Sequence, residues 1–172
     1  MTREAAAEAP DLREVVALLT EAGVTVGIAE SLTGGAVTAA LVSVPGASQC
    51  LRGGVVAYAT DVKAAVLNVP RSLLEERGAV HPDVALAMAV GVRRLLSADY
   101  GVATTGVAGP DPQDGHSPGT FFVAVAGPWG TEVAAGPEVG PWTDRDEVRR
   151  SACDAALTLL VRRVRSDEIR RR

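Results

Sequence analysis

Apolar residues recur along this chain in two rhythms. Leu12, Val15, Val16 and Leu19 fall at helical spacing and Gly23 supplies a stop, so Asp11 to Ala22 is predicted to be an amphipathic helix. Val24 to Ala29 is a short, continuously apolar strand of the kind found in a sheet covered on both faces. A small-residue run, Ala36 to Val44, belongs to a helix expected from about Thr33 to near Pro45-Gly46. Gly53 to Ala59 gives a second strand with Tyr58 near its end. Asp61 to Leu67 and Arg71 to Arg77 are predicted as two short helices separated by Pro70. Pro82 opens a longer helix to about Ala98, apolar almost all round and therefore buried. Gly101 to Val107 is a third strand, and Gly109 to Pro118 has turn chemistry without periodicity. Thr120 to Ala126 and Thr131 to Ala135 form a hairpin across Gly127-Pro128-Trp129-Gly130. Thr143 caps a final helix with Val148, Ala152, Ala155 and Leu159 on one face.

Helices between the early strands imply parallel crossovers, and the late hairpin adds antiparallel pairing. The expected fold is a three-layer α/β/α sandwich on a mixed, mostly parallel sheet. At 172 residues the chain fits one domain with a single substantial core. Apolar residues make up 47% of it and aromatics 3%, which suits an α/β protein packed from small side chains.

Charge narrows the picture further. A net charge of −4 gives no general affinity for nucleic acid. Arginines cluster only at the C-terminus, from Arg162-Arg163-Val164-Arg165 to Arg170-Arg171-Arg172, where a solvated helix end is the plain reading. Cys50 and Cys153 form no motif and are expected to be buried and reduced. The first ten residues lack the apolar stretch of a signal peptide, and no run approaches a membrane span, so a cytoplasmic location is expected.

The chemistry concentrates at Glu30-Ser31-Leu32-Thr33-Gly34-Gly35. A hydroxyl at a strand-to-helix corner followed by two glycines can expose a nucleophile together with free backbone N–H groups, which favour anions. The plainer readings are an N-cap and close helix packing. Lys63 is the only lysine, against sixteen arginines. A hydroxyl nucleophile needs a base, and arginine does not deprotonate in proteins. In an open α/β sheet ligands collect at the carboxyl ends of strands. Three such ends carry Ser31 with its glycines, Tyr58 followed by Lys63, and Thr104-Thr105-Gly106-Val107-Ala108-Gly109-Pro110. His81 and His116 are isolated, without a second ligand at zinc spacing, so no metal site is expected. Phosphate-loop, dinucleotide and Gly-x-Ser-x-Gly signatures are absent, which leaves no expected cofactor.

Glu-Ser-Leu-Thr-Gly-Gly at 30–35, Tyr58 with Lys63, Gly78-Ala79-Val80, Thr105-Gly106-Val107-Ala108-Gly109-Pro110, and Asp144-Arg145 with Arg149 occur in this order. In that order they resemble the C-terminal domain family of CinA, whose standalone form is a nicotinamide-nucleotide amidohydrolase of the PncC type. The resemblance covers about 11–164, taken as the core of a single domain over 1–172; the separate pyrophosphatase-like N-terminal unit of CinA has no counterpart in the 172 residues. Two positions depart from the family pattern. Ser117-Pro118-Gly119-Thr120 stands where the family often has Lys-Pro-x-Gly-Thr, and His81 replaces a small residue.

The resemblance implies deamidation of nicotinamide mononucleotide to nicotinic acid mononucleotide and ammonia, a step of pyridine nucleotide salvage, without metal or cofactor. Carried over by position, Ser31 is the nucleophile, Lys63 its partner and Tyr58 a further catalytic residue. Backbone N–H groups around Thr33 to Gly35 are expected to hold the oxyanion. Glu30, Thr33, Gly34, Gly35, Thr105, Gly106, Ala108, Gly109 and Arg145 are the expected substrate contacts, with the phosphate on either the Gly106–Gly109 backbone or Arg145. The expected partners are a small pyridine nucleotide and further copies of the chain, with neither nucleic acid nor membrane. The alternative function is a non-catalytic nucleotide-binding or interaction module linked to competence and DNA damage. A hydroxyl paired with a deprotonatable amine argues for catalysis over that alternative.

Overall fold

The computed structural model describes residues 9–136 and 144–171. Helix α1, Leu12–Glu21, starts where the Asp11 carboxylate accepts from the Arg13 amide at 2.8 Å, and it buries Val15, Val16 and Leu19. It leads into strand β1, Val26–Glu30, buried at every position. Helix α2, Ala36–Val42, and a single 3-10 turn, Ala47–Gln49, connect to β2, Leu51–Val56. Three helices follow: α3 (Thr60–Leu67), α4 (Arg71–Arg77) and α5 (Pro82–Leu95). Strands β3 (Tyr100–Gly106), β4 (Phe121–Gly127) and β5 (Gly130–Ala135) come next, then the long helix α6, Arg145–Arg171.

The sheet runs β2-β1-β3-β4-β5. β1 is parallel to both β2 and β3, while β4 is antiparallel to β3 and to β5. The antiparallel share therefore equals the parallel one. Large and small residues alternate along the central strands. Val26, Ile28, Val102, Val123 and Val125 join α1, α2 and α6 in one core. Ala29, Ala103, Ala124 and Ala126 face the opposite core with Val84, Met88 and Val92 of α5. The small face lets α5 lie close to the sheet: a Cβ on Gly101 would come within 2.0 Å of the Ala89 carbonyl oxygen. That closeness accounts for the scarcity of aromatics in the composition.

Most element boundaries shift by one to three residues from the sequence expectation, and β2 shows the change that matters for the site. β2 starts at Leu51 and ends at Val56, not at Ala59. The Ala57 amide still donates to the Glu30 carbonyl at 2.8 Å, but the carbonyls of Ala57 and Tyr58 turn away to the Lys63 amine. The expected Thr143 cap lies outside the described residues; the Asp144 carboxylate accepts from the Glu147 amide at 2.8 Å in the first turn of α6. Among the described residues no helix is long and apolar enough to cross a membrane.

Candidate active site

β1 runs past its last ladder residue into a tight corner. The Ser31 amide still donates to the Thr104 carbonyl at 3.1 Å, which fixes the serine at the carboxyl end of the sheet. Gly34 and Gly35 then take φ of +61° and +103°, left-handed values that turn the chain into α2 at no side-chain cost. This sharp turn brings the amides of α2 back over Glu30. The Glu30 carboxylate, fully buried, accepts from the amides of Gly35, Val37 and Thr38 at 2.9, 3.0 and 2.8 Å, and from the Thr38 hydroxyl at 2.6 Å. A carboxylate at a helix N-terminus satisfies the orphan donors and the dipole together.

That arrangement corrects two expectations. The Gly35 amide belongs to Glu30, and the Gly34 amide donates to the Ser31 carbonyl at 3.0 Å, so neither is free for an oxyanion. Glu30, Thr33, Gly34 and Gly35 are scaffold and do not line the cavity described below. Thr33 is fully buried, its hydroxyl 2.8 Å from that of Thr104, and Arg149 donates to its carbonyl at 3.0 Å.

Lys63 arrives from the first turn of α3. It is 1% exposed, and its Nζ lies 3.0 Å from Ser31 Oγ, 2.8 Å from the Ala57 carbonyl and 3.2 Å from the Tyr58 carbonyl. Burial lowers the amine from the ordinary 10.5 to about 8, and the Asp114 carboxylate pushes it back up in part. An ammonium has three protons for these three oxygens. A neutral amine has two protons for the two carbonyls, which leaves its lone pair directed at the Ser31 hydroxyl. The site can therefore hold both protonation states without moving a heavy atom.

Ser31 and Lys63 open into a cleft of about 270 Å³. All three strand ends contribute to its lining. Tyr58 comes from beyond β2, and Thr105, Gly106, Ala108 and Gly109 come from the end of β3 and the loop after it; Arg145 enters from α6. The Tyr58 hydroxyl accepts from Arg145 at 3.0 Å, so its contribution to Lys63 is the backbone carbonyl. Arg145 also donates to the Gly109 carbonyl, bridging two walls of the cleft, and among the described residues it forms no ion pair. The Thr105 hydroxyl donates to the Ala79 carbonyl at 2.7 Å.

Several groups at the site escaped sequence reasoning. The carbonyls of Ala57 and Tyr58 leave no mark in a side-chain pattern. Leu32, Val80, Asp111 and Gln113 also line the cleft. Among the described residues the amides of Leu32 and Ala108 make no hydrogen bond. Asp114 could have been suspected, since Asp-Gly is a strong two-residue turn signal. His81 caps α5, its Nδ1 accepting from the Asp83 amide at 3.2 Å, and His116 packs edge-on against Phe122. Cys50 and Cys153 are both buried and free. Among the described residues no three of His, Cys, Asp or Glu cluster closely enough to hold a metal ion.

Residues 9–164 match the family profile of the CinA C-terminal domain. The chain belongs to the CinA C-terminal domain family. It is 47% identical over 148 residues to a CinA-like protein of Frankia casuarinae, covering 86% of this chain and 34% of that protein. With a CinA-like protein of Anaeromyxobacter dehalogenans it shares 51% identity over 154 residues, 89% of this chain and 36% of the other. The chain thus spans about a third of the length of these curated CinA relatives. Among solved CinA-type structures, the competence/damage inducible protein CihA of Agrobacterium tumefaciens superposes with a TM-score of 0.81. Identity there is 32%, over 87% of this chain and 91% of that one. A CinA superfamily protein of Escherichia coli gives a TM-score of 0.82 at 28% identity, over 91% of this chain and 92% of the other.

Proposed function

We propose that this CinA-family domain is an amidohydrolase that deamidates nicotinamide mononucleotide through Ser31 and Lys63. One observation carries the reading: a buried lysine with its amine lowered to about 8 lies 3.0 Å from a serine hydroxyl, at the mouth of a cleft. The two carbonyls take both N–H groups of a neutral amine, which leaves its lone pair for the Ser31 hydroxyl. A lowered lysine beside a hydroxyl is the pattern of an activated nucleophile.

In the proposed reaction the neutral Lys63 amine takes the Ser31 proton as Oγ bonds to the carboxamide carbon. The carbonyl electron pair moves to oxygen. Collapse of this tetrahedral adduct breaks the C–N bond, and the Lys63 ammonium gives its proton to the departing nitrogen, which leaves as ammonia. Water then adds to the acyl-serine ester, Lys63 takes its proton, and that proton returns to Ser31 as the carboxylic acid is released. The oxyanion falls to cleft-lining groups other than the Gly34 and Gly35 amides; the amides of Leu32 and Ala108, which make no hydrogen bond among the described residues, are candidate donors. Because a pKa of about 8 leaves roughly one molecule in ten neutral at pH 7, the base form is accessible without a metal.

The test is ammonia release from nicotinamide mononucleotide by the purified protein, with and without a chelator. Release that survives chelation and is abolished by Ser31→Ala supports the reading. Activity that vanishes with chelator and returns with a divalent ion overturns the metal-free route. Saturable binding of the nucleotide without release assigns the domain to the non-catalytic alternative.

A further inference from the structure

We infer that Asp114 is a positioning residue for the Ser31–Lys63 pair. From a loop that carries neither partner, its carboxylate grips a wall of the cleft and sets a negative charge against the amine.

The loop is built to deliver that carboxylate. Gln113 and His116 exchange backbone hydrogen bonds at 3.1 and 2.8 Å, closing a two-residue turn over Asp114-Gly115. Both turn residues take positive φ, 51° and 77°, the geometry that an Asp-Gly pair adopts readily. Asp114 Oδ2 accepts from the Ala79 amide at 2.7 Å, across 35 positions of sequence. Gly78 makes room for it. Its φ is +73°, and a Cβ there would lie 2.9 Å from the Cβ, Cγ and Oδ2 atoms of Asp114.

The same residue is held from its other side. The Ala79 carbonyl accepts from the Thr105 hydroxyl at 2.7 Å, so the segment between α4 and α5 is tied to the end of β3 and to the β3–β4 loop together. Ala79, Val80, Thr105 and Gln113 line the cleft beside Ser31 and Lys63. Loss of the Asp114 carboxylate releases one of the two grips on this wall.

The charge reaches further than the hydrogen bond. Burial drives the Lys63 amine down and Asp114 opposes it. Asp61 is an exposed residue of α3, and Glu30 lies beneath Ser31 on the amides of α2. Asp111 and Arg145 line the same cleft, with Arg145 on Tyr58 and Gly109. His81 faces the Asp83 amide.

Lys63 is the only lysine in the chain, so lysine labelled with carbon-13 at the ε position gives one titrating resonance. That measurement needs no substrate and does not depend on the amidohydrolase reading; only the kinetic readouts below rest on it. Asp114→Asn keeps an oxygen for the Ala79 amide and removes the charge, whereas Asp114→Ala removes both. The Lys63 titration is expected at lower pH in both variants than in the wild type, and Asp114→Glu restores it toward the wild-type midpoint. In Asp114→Asn the midpoint of kcat/KM against pH falls in step, with KM at high pH changed by no more than about twofold. In Asp114→Ala the plateau of kcat/KM also falls, on the order of tenfold, because the wall loses its grip. An unchanged Lys63 titration in folded Asp114→Asn overturns the proposal. Absence of ammonia release in the wild type instead overturns the amidohydrolase reading and leaves the titration result standing.

Discussion

Glu30 binds both hydrogen-bond donors of Thr38: the amide donates to its carboxylate at 2.8 Å and the hydroxyl at 2.6 Å. With the Gly35 and Val37 amides, this makes a four-donor clamp between the end of β1 and the start of α2. Ser31 sits inside that clamp, between the residue that accepts and the helix that donates. The placement of Ser31 therefore depends on a buried carboxylate that does not line the cleft.

Replacing Glu30 by alanine strands three backbone donors and a hydroxyl in a closed setting. The expected loss is roughly 3 kcal/mol or more of unfolding free energy, read from urea titration. Glu30→Gln keeps one acceptor oxygen and turns an amide toward the other donors, so its loss should be smaller. An unchanged urea midpoint in Glu30→Ala would show that the corner is held by something else.

Lys63 couples stability to pH in a definite direction. Its folded pKa of about 8 lies below the unfolded 10.5. Between those values the unfolded chain holds a proton that the folded chain has released, so stability rises with pH. The rise should reach about 1 kcal/mol between pH 8 and pH 9. Above pH 9 Cys153 works in the opposite sense. Burial, with the charges of Asp154 and Glu30, pushes its thiol up from 9.0 to about 12, so the unfolded chain ionises first and stability falls. Guanidinium unfolding across pH 7 to 9 should show the upward slope in the wild type and a flat line in Lys63→Met. A slope that survives in Lys63→Met would assign it to another group.

The layers of this fold were legible because their signals are local and periodic. Val15, Val16 and Leu19 mark a helix face, Gly27 to Ala29 mark a strand closed on both sides, and Pro70 and Pro82 punctuate three helices. Ser31, Lys63, Thr105 and Arg145 were legible as candidates because each is an unusual residue at a strand end or helix start. What stayed hidden is carried by main-chain atoms. Nothing in the letters Ala57 and Tyr58 says that two consecutive carbonyls leave the sheet to hold an amine. Glu30, expected as a substrate contact, shows a related limit: its hydrogen bonds depend on the two left-handed glycines that fold α2 back over it, a three-dimensional relation that a motif read in one dimension does not carry.

Arginine in place of Lys63 separates charge from basicity. Lys63→Arg keeps a cation for the carbonyls of Ala57 and Tyr58 but cannot deprotonate in the accessible pH range. The expected result is a loss of ammonia release as severe as in Ser31→Ala, with the double variant little worse than either, because the pair works as a unit. In the wild type the rate should rise with pH through a midpoint near 8. Near wild-type turnover in folded Lys63→Arg would remove Lys63 as the base.

Arg145 is the side chain placed to test where the proposed phosphate binds. It reaches the Tyr58 hydroxyl and the Gly109 carbonyl, both neutral acceptors, and among the described residues it forms no ion pair at the rim of the cleft. A phosphate monoester is the anion such a fork suits, since its oxygens accept two parallel N–H bonds. Arg145→Ala is therefore expected to raise KM for the mononucleotide about tenfold or more, while leaving turnover of the unphosphorylated riboside, expected to be the poorer substrate, unchanged. Tyr58→Phe should act in the same direction and more weakly, because it frees Arg145 from one partner without removing the charge. The two substrates together separate this effect from damage to the pair. A defect at Ser31 and Lys63 lowers both rates alike, whereas loss of a phosphate contact lowers only one. Equal sensitivity of both substrates to Arg145→Ala would show that Arg145 shapes the cleft through Tyr58 and Gly109, leaving the phosphate to the backbone between Gly106 and Gly109.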